Sequence, residues 1–177
     1  IIQQIRNGKL DGCNVTIPHK ENIMEILDEI NPRAESISSV NCIMKSNSKI
    51  IGNNTDWFGF TMALKENKID LSNKEVIVLG AGGTAKSILF SLKQLGANKI
   101  ILLNRTLHKA EALKDDIITP YSMENTESVL KNDSIIINTT PIGMQSNQSP
   151  IELGLIHKNQ ILIDVIYNPL ETSFLKI

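Results

Sequence analysis

Short apolar runs alternate with amphipathic stripes through the second half of the chain. The continuous runs predict buried strands at residues 75–79, 99–103, 134–138 and 160–165. Helical spacing of apolar residues predicts a helix at residues 83–95 and a weaker one at residues 109–114. Strands that alternate with helices form parallel sheets, and strands that are apolar on both faces are covered on both sides. The pattern therefore predicts an α/β fold with a Rossmann-like, doubly wound parallel sheet.

The first part of the chain has a more mixed pattern. Its predicted elements are a strand at residues 11–17, a helix at 21–30, a hairpin of strands at 40–44 and 49–52, and a helix at 57–64. We therefore predict a smaller α/β domain at residues 1–58 that binds substrate, followed by the Rossmann-like domain at residues 59–177. The chain starts without Met and ends in an apolar helical pattern at residues 174–177, so we expect both domains to be incomplete.

Composition and charge narrow the classes of partner. The chain has 18 basic and 19 acidic residues, and no segment concentrates Lys or Arg, so nucleic acid is not an expected partner. No apolar run is long enough to cross a bilayer and no leader pattern precedes the first strand, which predicts a cytoplasmic protein. Cys13 and Cys42 lack the spacing of metal ligands, and the three His residues are scattered, so no metal is expected.

A glycine-rich turn follows the strand at residues 75–79. The segment Gly80-Ala81-Gly82-Gly83-Thr84-Ala85 matches the pattern G-x-G-x-x-A and opens the helix at residues 83–95. In such turns the first glycine permits a tight bend, the second lets the backbone approach a pyrophosphate, and the last small residue allows close helix packing. Glycines at such a turn can also serve packing alone. The strand and helix around this turn favour a dinucleotide site.

The end of the next strand bears on the choice of cofactor. NAD enzymes usually carry Asp or Glu there to bind the ribose 2′-hydroxyl, whereas this chain has Asn104-Arg105-Thr106. Arg105 can bind a 2′-phosphate with two hydrogen bonds, and Lys109 can add a second positive charge. The alternative is that both are ordinary surface charges. We predict NADP as the cofactor.

Two groups of polar residues in the first domain are candidates for chemistry. Thr16 and Lys20 follow the first predicted strand, and Asp56 follows the hairpin. Each has a structural alternative: Thr16 as part of the strand, Lys20 as a solvated residue at a helix start, and Asp56 as a helix N-cap. Taken alone, these residues favour neither a catalytic nor a purely structural role.

The motifs together resemble the shikimate dehydrogenase family in order and spacing over essentially the whole chain. The segments that carry the resemblance are residues 14–20, 39–42, 52–59, 80–85, 104–106, 138–144 and 164–172. Cys42 departs from the pattern, because Thr is common at that position. The resemblance also implies that two family segments are missing: an N-terminal one with a Ser-x-Ser substrate motif, and a C-terminal one with a glycine near the nicotinamide and a substrate-binding Gln.

The resemblance implies reversible, NADPH-dependent reduction of 3-dehydroshikimate to shikimate, a step in the biosynthesis of chorismate and aromatic amino acids. It makes Lys20 and Asp56 the catalytic pair, with Thr16, Asn41 and Tyr167 also binding the substrate. It assigns cofactor contacts to Gly80, Ala81, Gly82, Gly83, Thr84, Asn104, Arg105, Thr106, Lys109, Thr139 and Val165. The alternatives are a quinate/shikimate dehydrogenase that uses NAD(P) and a non-catalytic, NADP-binding regulatory relative. The resemblance implies a small-molecule substrate as the partner and leaves open whether the protein forms a homodimer.

Overall fold

The computed structural model describes residues 1–176, and its first part is built around a four-stranded sheet. The strands are β1 (Gly12–Asn14), β2 (Glu29–Ile30), β3 (Cys42–Ser46) and β4 (Lys49–Asn53), in the spatial order β1-β3-β4-β2. Helices α1 (Ile2–Arg6) and α2 (Pro32–Ile37) contact this sheet. The predicted hairpin is confirmed, because β3 and β4 pair antiparallel with Cys42 opposite Asn53. The first strand is shorter than predicted, and residues 17–18 form a turn.

The helix predicted at residues 21–30 is wrong. A short 3₁₀ helix covers Asn22–Ile26, and the chain then extends so that Glu29 and Ile30 pair in parallel with β4. Apolar residues at 23, 24, 27 and 30 pack against the sheet core in this irregular path as well as they would in a helix. Asn31-Pro32 does not end a helix but begins α2, because the Asn31 side chain accepts a hydrogen bond from the Arg33 backbone N–H.

The second part of the chain forms a five-stranded parallel sheet. Helix α3 (Asp56–Glu66) leads into it, and the strands are β5 (Glu75–Leu79), β6 (Ile100–Asn104), β7 (Ile118–Ser122), β8 (Ser134–Asn138) and β9 (Ile161–Asp164). Their spatial order is β7-β6-β5-β8-β9, with every neighbouring pair parallel. Helices α4 (Gly83–Gln94), α5 (Leu107–Glu111) and α6 (Thr126–Val129) complete this part. The predicted Rossmann-like parallel sheet is confirmed.

Differences at the element level are small in this part. β7 was not predicted, because Thr119 and Pro120 interrupt its apolar pattern, and Pro is tolerated at the edge of a sheet. α5 begins at Leu107, two residues ahead of the predicted helix, and residues 173–175 form a turn where helical spacing was expected. The predicted domain boundary at residue 58 lies within α3 and stays a prediction.

The arrangement of the parallel sheet determines where a ligand can bind. Strands β5, β6 and β8 are almost fully buried between two apolar clusters, one on each face of the sheet. The order reverses between β5 and β8, and the carboxyl ends of parallel strands at such a reversal leave a crevice.

Within residues 1–176, no helix is both long and apolar enough to cross a membrane, and no three His, Cys, Asp or Glu residues are grouped to hold a metal ion.

Candidate active site

The glycine turn lies at the crevice, between the end of β5 and the start of α4. Gly80 has φ +103°, and a Cβ there would lie 2.8 Å from the Thr139 Oγ1 atom, so a side chain is excluded by both conformation and space. Gly82 differs, because a Cβ at that position would meet no atom within 4 Å. Gly82 is also the N-cap of α4 and has no side chain to bind the free N–H groups of the first turn. The turn therefore offers an open approach to backbone donors, which fits a bound phosphate.

A first cleft, of about 610 Å³, opens on the side of the turn that faces β6. Its lining includes Ala81, Gly82, Arg105 and Lys109, and we call it the cationic cleft. Neither Arg105 nor Lys109 forms an ion pair with any residue in the described part of the chain. Two exposed, unpaired cations beside a helix N-terminus suit a ligand that carries more than one phosphate.

The end of β6 is held by its own side chains. The Asn104 side-chain amide donates a hydrogen bond to the Thr106 backbone carbonyl at 2.8 Å, which fixes the bend that carries Arg105. Asn104 and Thr106 both line the cationic cleft. The structure therefore brings together the glycine turn and the residues at 104–109, as the prediction of an NADP site requires.

A second cleft, of about 700 Å³, lies on the other side of the turn and contains the predicted catalytic pair. We call it the central cleft. Lys20 Nζ donates hydrogen bonds to Asp56 Oδ2 at 2.8 Å and to Thr84 Oγ1 at 3.0 Å. The Lys20 side chain is 13% exposed and that of Asp56 is 25% exposed. The pair is thus largely shielded from water while its polar atoms still reach the cleft.

Asp56 is held at the start of α3 by two asparagines. Asn41 Nδ2 donates to Asp56 Oδ1 at 2.6 Å, and Asn41 Oδ1 accepts from the Thr55 backbone N–H at 2.9 Å. Asn54 Oδ1 accepts from the Asp56 backbone N–H at 3.1 Å. The Asn54 amide group in turn donates to the Ser39 carbonyl and to the Ser87 hydroxyl of α4. The carboxylate is therefore held by Asn41 and Lys20, and the backbone that carries it is linked through Asn54 to α4.

The other predicted residues are distributed around the same cleft. Thr16, Thr139, Val165 and Tyr167 line it, although Tyr167 is 84% exposed and lies at its edge. Gly83 lies against Lys20, because a Cβ at Gly83 would be 3.0 Å from the Lys20 Cβ. Asn41 bonds Asp56 and Thr55 rather than lining the cleft in this structure. The roles assigned to these side chains remain predictions.

Sequence reasoning assigned no role to a half-buried hydrogen-bond network at the edge of the central cleft. Asn138 and Asp164, the last residues of β8 and β9, are joined by a hydrogen bond of 3.1 Å. Asn138 Oδ1 also accepts from the Thr140 N–H and hydroxyl, and Asp164 accepts from the Ile166 N–H and the Thr172 hydroxyl. The available sequence signal was a polar residue at the end of an otherwise apolar strand, and both Asn138 and Asp164 show it.

Comparisons with known proteins identify the family of this chain. Residues 1–43 match the family model described as the shikimate dehydrogenase substrate binding domain, and residues 61–165 match the model described as shikimate / quinate 5-dehydrogenase. The chain is 41% identical to the shikimate dehydrogenase (NADP(+)) of a Geobacillus species over 99% of its own length. It spans 66% of the length of that relative, just under two thirds.

Solved structures show the same likeness. Shikimate dehydrogenase 1 from Peptoclostridium difficile is 38% identical, with a TM-score of 0.85 over 98% of this chain and 63% of that one. Shikimate 5-dehydrogenase from Thermus thermophilus, in complex with NADP(H) and shikimate, is 31% identical, with a TM-score of 0.82 over 99% of this chain and 65% of that one. The chain described here belongs to the shikimate / quinate 5-dehydrogenase family.

Proposed function

We propose that this chain carries the catalytic pair and the cofactor site of an NADP-dependent shikimate dehydrogenase. The reaction is the reversible reduction of 3-dehydroshikimate to shikimate, in the biosynthesis of chorismate and aromatic amino acids. The observation that carries the proposal is the shielded ion pair of Lys20 and Asp56, 2.8 Å apart, in a cleft that also contains Thr84 of the glycine turn. A proton donor and a dinucleotide turn in one cleft are what the reduction of a ketone requires.

Lys20 is suited to hold and move a proton at the substrate oxygen. NADPH, when bound, would supply the hydride that reduces the carbonyl carbon. The negative charge that develops on the oxygen is then stabilised by the Lys20 ammonium, which can transfer its proton as a general acid. In the oxidative direction the neutral amine takes the proton from the hydroxyl group of shikimate. Asp56 holds the lysine in position, and its own place is fixed by Asn41 and Asn54.

The substrate and cofactor contacts follow from the two clefts. Thr16 and Tyr167 offer hydroxyl groups at the lining of the central cleft, where they can bind hydroxyl or carboxylate groups of the substrate. Arg105 and Lys109 lie in the cationic cleft and would bind a 2′-phosphate. The name of the Geobacillus relative and the ligands of the Thermus structure support the same pairing of NADP with shikimate.

The alternatives remain testable. The family model is described for both shikimate and quinate, so a quinate/shikimate dehydrogenase that uses NAD(P) is the nearest competitor. A non-catalytic NADP-binding relative would keep both clefts and show no turnover.

A cytoplasmic location and a homodimer are also proposals, and light scattering of the full-length protein tests the dimer.

The decisive experiment is a spectrophotometric assay of the full-length protein, with shikimate and NADP compared against quinate and NAD. Lys20→Ala should lower kcat by about 10²- to 10⁴-fold, the range for loss of a general acid or base. The Kd of 2′,5′-ADP, a fragment of NADP, should stay within about twofold, because its phosphates would bind the glycine turn and the pair Arg105 and Lys109 rather than Lys20. Lys158→Ala removes an exposed lysine outside the lining of both clefts and serves as the control. Near-normal turnover of a folded Lys20→Ala protein would remove Lys20 from the mechanism, and an inactive wild-type protein would contradict the enzyme assignment.

A further inference from the structure

The catalytic lysine has a second hydrogen-bond partner that the pairing with Asp56 does not explain. Lys20 Nζ lies 3.0 Å from Thr84 Oγ1, which belongs to the first turn of α4 and to the glycine turn itself. Lys20 follows β1 of the four-stranded sheet and Asp56 begins α3, whereas Thr84 lies in α4, which follows β5 of the five-stranded sheet. The ammonium group is therefore bound from both sides of the central cleft.

A hydroxyl group in this place can orient the ammonium group without changing the charge of the site. An ammonium group has three N–H donors, and Asp56 and Thr84 accept two of them. Because the donors of a tetrahedral nitrogen keep fixed angles to one another, two bonds also fix the direction of the third. That third donor is the one available to a substrate oxygen in the central cleft.

The local structure keeps Thr84 close to Lys20. Gly83 has no side chain, and a Cβ there would lie 3.0 Å from the Lys20 Cβ and 2.9 Å from the Ser39 Oγ atom. The absence of that side chain lets the base of Lys20 pass directly against the start of α4. Thr84 itself is β-branched, so its χ1 angle is restricted within a helix and the hydroxyl has few alternative positions.

We propose, on the basis of the proposed function, that Thr84 is a positioning residue for Lys20. Its backbone lies in the turn expected to bind the cofactor phosphates, while its hydroxyl group holds the catalytic ammonium group. The turn that holds the cofactor thus also aims the proton donor at the substrate oxygen. A displacement of the ammonium group by about one ångström from the substrate oxygen can lower a rate about 100-fold. Loss of the Thr84 hydroxyl group should therefore lower kcat strongly.

Two substitutions separate the hydroxyl group from the rest of the side chain. Thr84→Val keeps the shape and removes the hydrogen bond, and it should lower kcat about 10- to 100-fold, as expected for a lost hydrogen bond to a charged group. The Kd of 2′,5′-ADP should stay within about twofold, because its 5′-phosphate would bind backbone N–H groups and its 2′-phosphate would bind Arg105 and Lys109. Thr84→Ser restores the hydroxyl group and should recover most of the rate. Thr126→Val removes a buried hydroxyl group that bonds only the Met123 carbonyl, distant from both clefts, and serves as the matched control.

The role of Thr84 can also be tested without enzymatic turnover, by an NMR signal of Lys20. This test does not depend on whether the proposed function is correct. In full-length protein labelled with ¹³C at the lysine Cε, the Lys20 signal is identified by its loss in Lys20→Ala. That signal should move in Thr84→Val and keep its wild-type position in Thr84→Ser and Thr126→Val. If wild-type protein does not oxidise shikimate, the proposed function fails and the spectra alone decide the role of Thr84. An unchanged Lys20 signal in Thr84→Val, or a kcat within twofold of wild type, would overturn the inference.

Discussion

At the end of β6, the Arg105 guanidinium lies beside the cationic cleft with no acidic partner among residues 1–176. The cleft also contains Glu21, whose carboxylate is bound by Lys86 at 2.5 Å. A carboxylate with its own cation repels a phosphate less than a free one would. The cations at Arg105 and Lys109 are therefore the groups left to distinguish a 2′-phosphate from a 2′-hydroxyl.

We expect Arg105→Ala to raise the KM for NADP about 10- to 100-fold, since it removes charge-assisted hydrogen bonds to the 2′-phosphate. The KM for NAD should change little, because NAD has no phosphate at that position. Parallel kinetics with both cofactors measure the difference, and the Kd values of 2′,5′-ADP and ADP check it without turnover. Lys114→Ala, an exposed lysine outside the cleft lining, controls for the loss of charge. Equal weakening for both cofactors would show that Arg105 is structural.

Single residues could be predicted from sequence where the signal is local. The glycine turn and Arg105 stand in fixed relation to β5 and β6, so their positions followed from the strand pattern and the family motif. The bond between Lys20 and Thr84 joins residues 64 positions apart, and the bond between Asn54 and Ser87 joins residues 33 apart. Contacts of that kind depend on how the two sheets pack, which no local pattern specifies.

Among the elements, β2 shows most clearly how tertiary contacts override helical spacing. Asp28, just before this strand, accepts hydrogen bonds from the Ile50 backbone N–H at 2.8 Å and from the Arg6 guanidinium. These contacts tie the segment to β4 and to α1. The Ile50 N–H, followed by Arg6, lowers the pKa of the Asp28 carboxyl below its ordinary value.

A lowered pKa makes the contribution of Asp28 depend on pH with a definite sign. The stabilisation is fully present above the unfolded-state pKa of 3.8 and is lost as the pH falls through the lower folded-state pKa. We therefore expect wild type to lose its stability advantage over Asp28→Asn as the pH falls below about 4. Urea unfolding of both proteins at a series of pH values measures the difference. Asp11→Asn, an exposed carboxylate with no side-chain hydrogen bond in the described structure, controls for net charge, and a pH-independent difference would contradict the expectation.

Elements were predicted best where burial determines the pattern. β5 and β8 have the predicted bounds, because strands covered on both faces are apolar along their centres and have polar residues only at their ends. β7 was missed at the edge of the sheet, where Thr119 and Pro120 are tolerated. The other edge strand of that sheet, β9, was predicted because its residues are apolar up to Asp164, whereas the two-residue β2 is too short to leave a periodic signal.

For the molecule as a whole, α4 is the element that connects the two sheets. Polar side chains on successive turns of this helix bond residues of the first part of the chain and of α3. The pairs are Thr84 with Lys20, Lys86 with Glu21, Ser87 with Asn54, and Ser91 with Trp57. The helix that begins at the glycine turn therefore also fixes the position of the four-stranded sheet.

Two buried serines at this junction should respond oppositely to the same substitution. Ser39 and Ser91 are both fully buried, but Ser39 Oγ has no hydrogen-bond partner within residues 1–176, whereas Ser91 Oγ donates to the Trp57 carbonyl at 2.5 Å. Ser39→Ala should leave stability unchanged or raise it by about 1 kcal/mol, because an unpaired buried hydroxyl group is removed. Ser91→Ala should lower it by about 1 kcal/mol, because the hydrogen bond from the Ser91 hydroxyl to the Trp57 carbonyl is lost, while the Thr61 hydroxyl still donates to that carbonyl at 2.8 Å. Urea unfolding measures both, and equal destabilisation would show that Ser39 has a partner in solution.

Trp57 gives the junction a spectroscopic property of its own. It is the only tryptophan of this sequence, and its ring packs edge-on against Phe90 of α4 at 5.5 Å and under the Arg33 guanidinium at 5.1 Å. Indole emission depends on nearby charges and on the access of water. A rotation of one sheet against the other would change both, so the intrinsic fluorescence of Trp57 would report such a movement without a label.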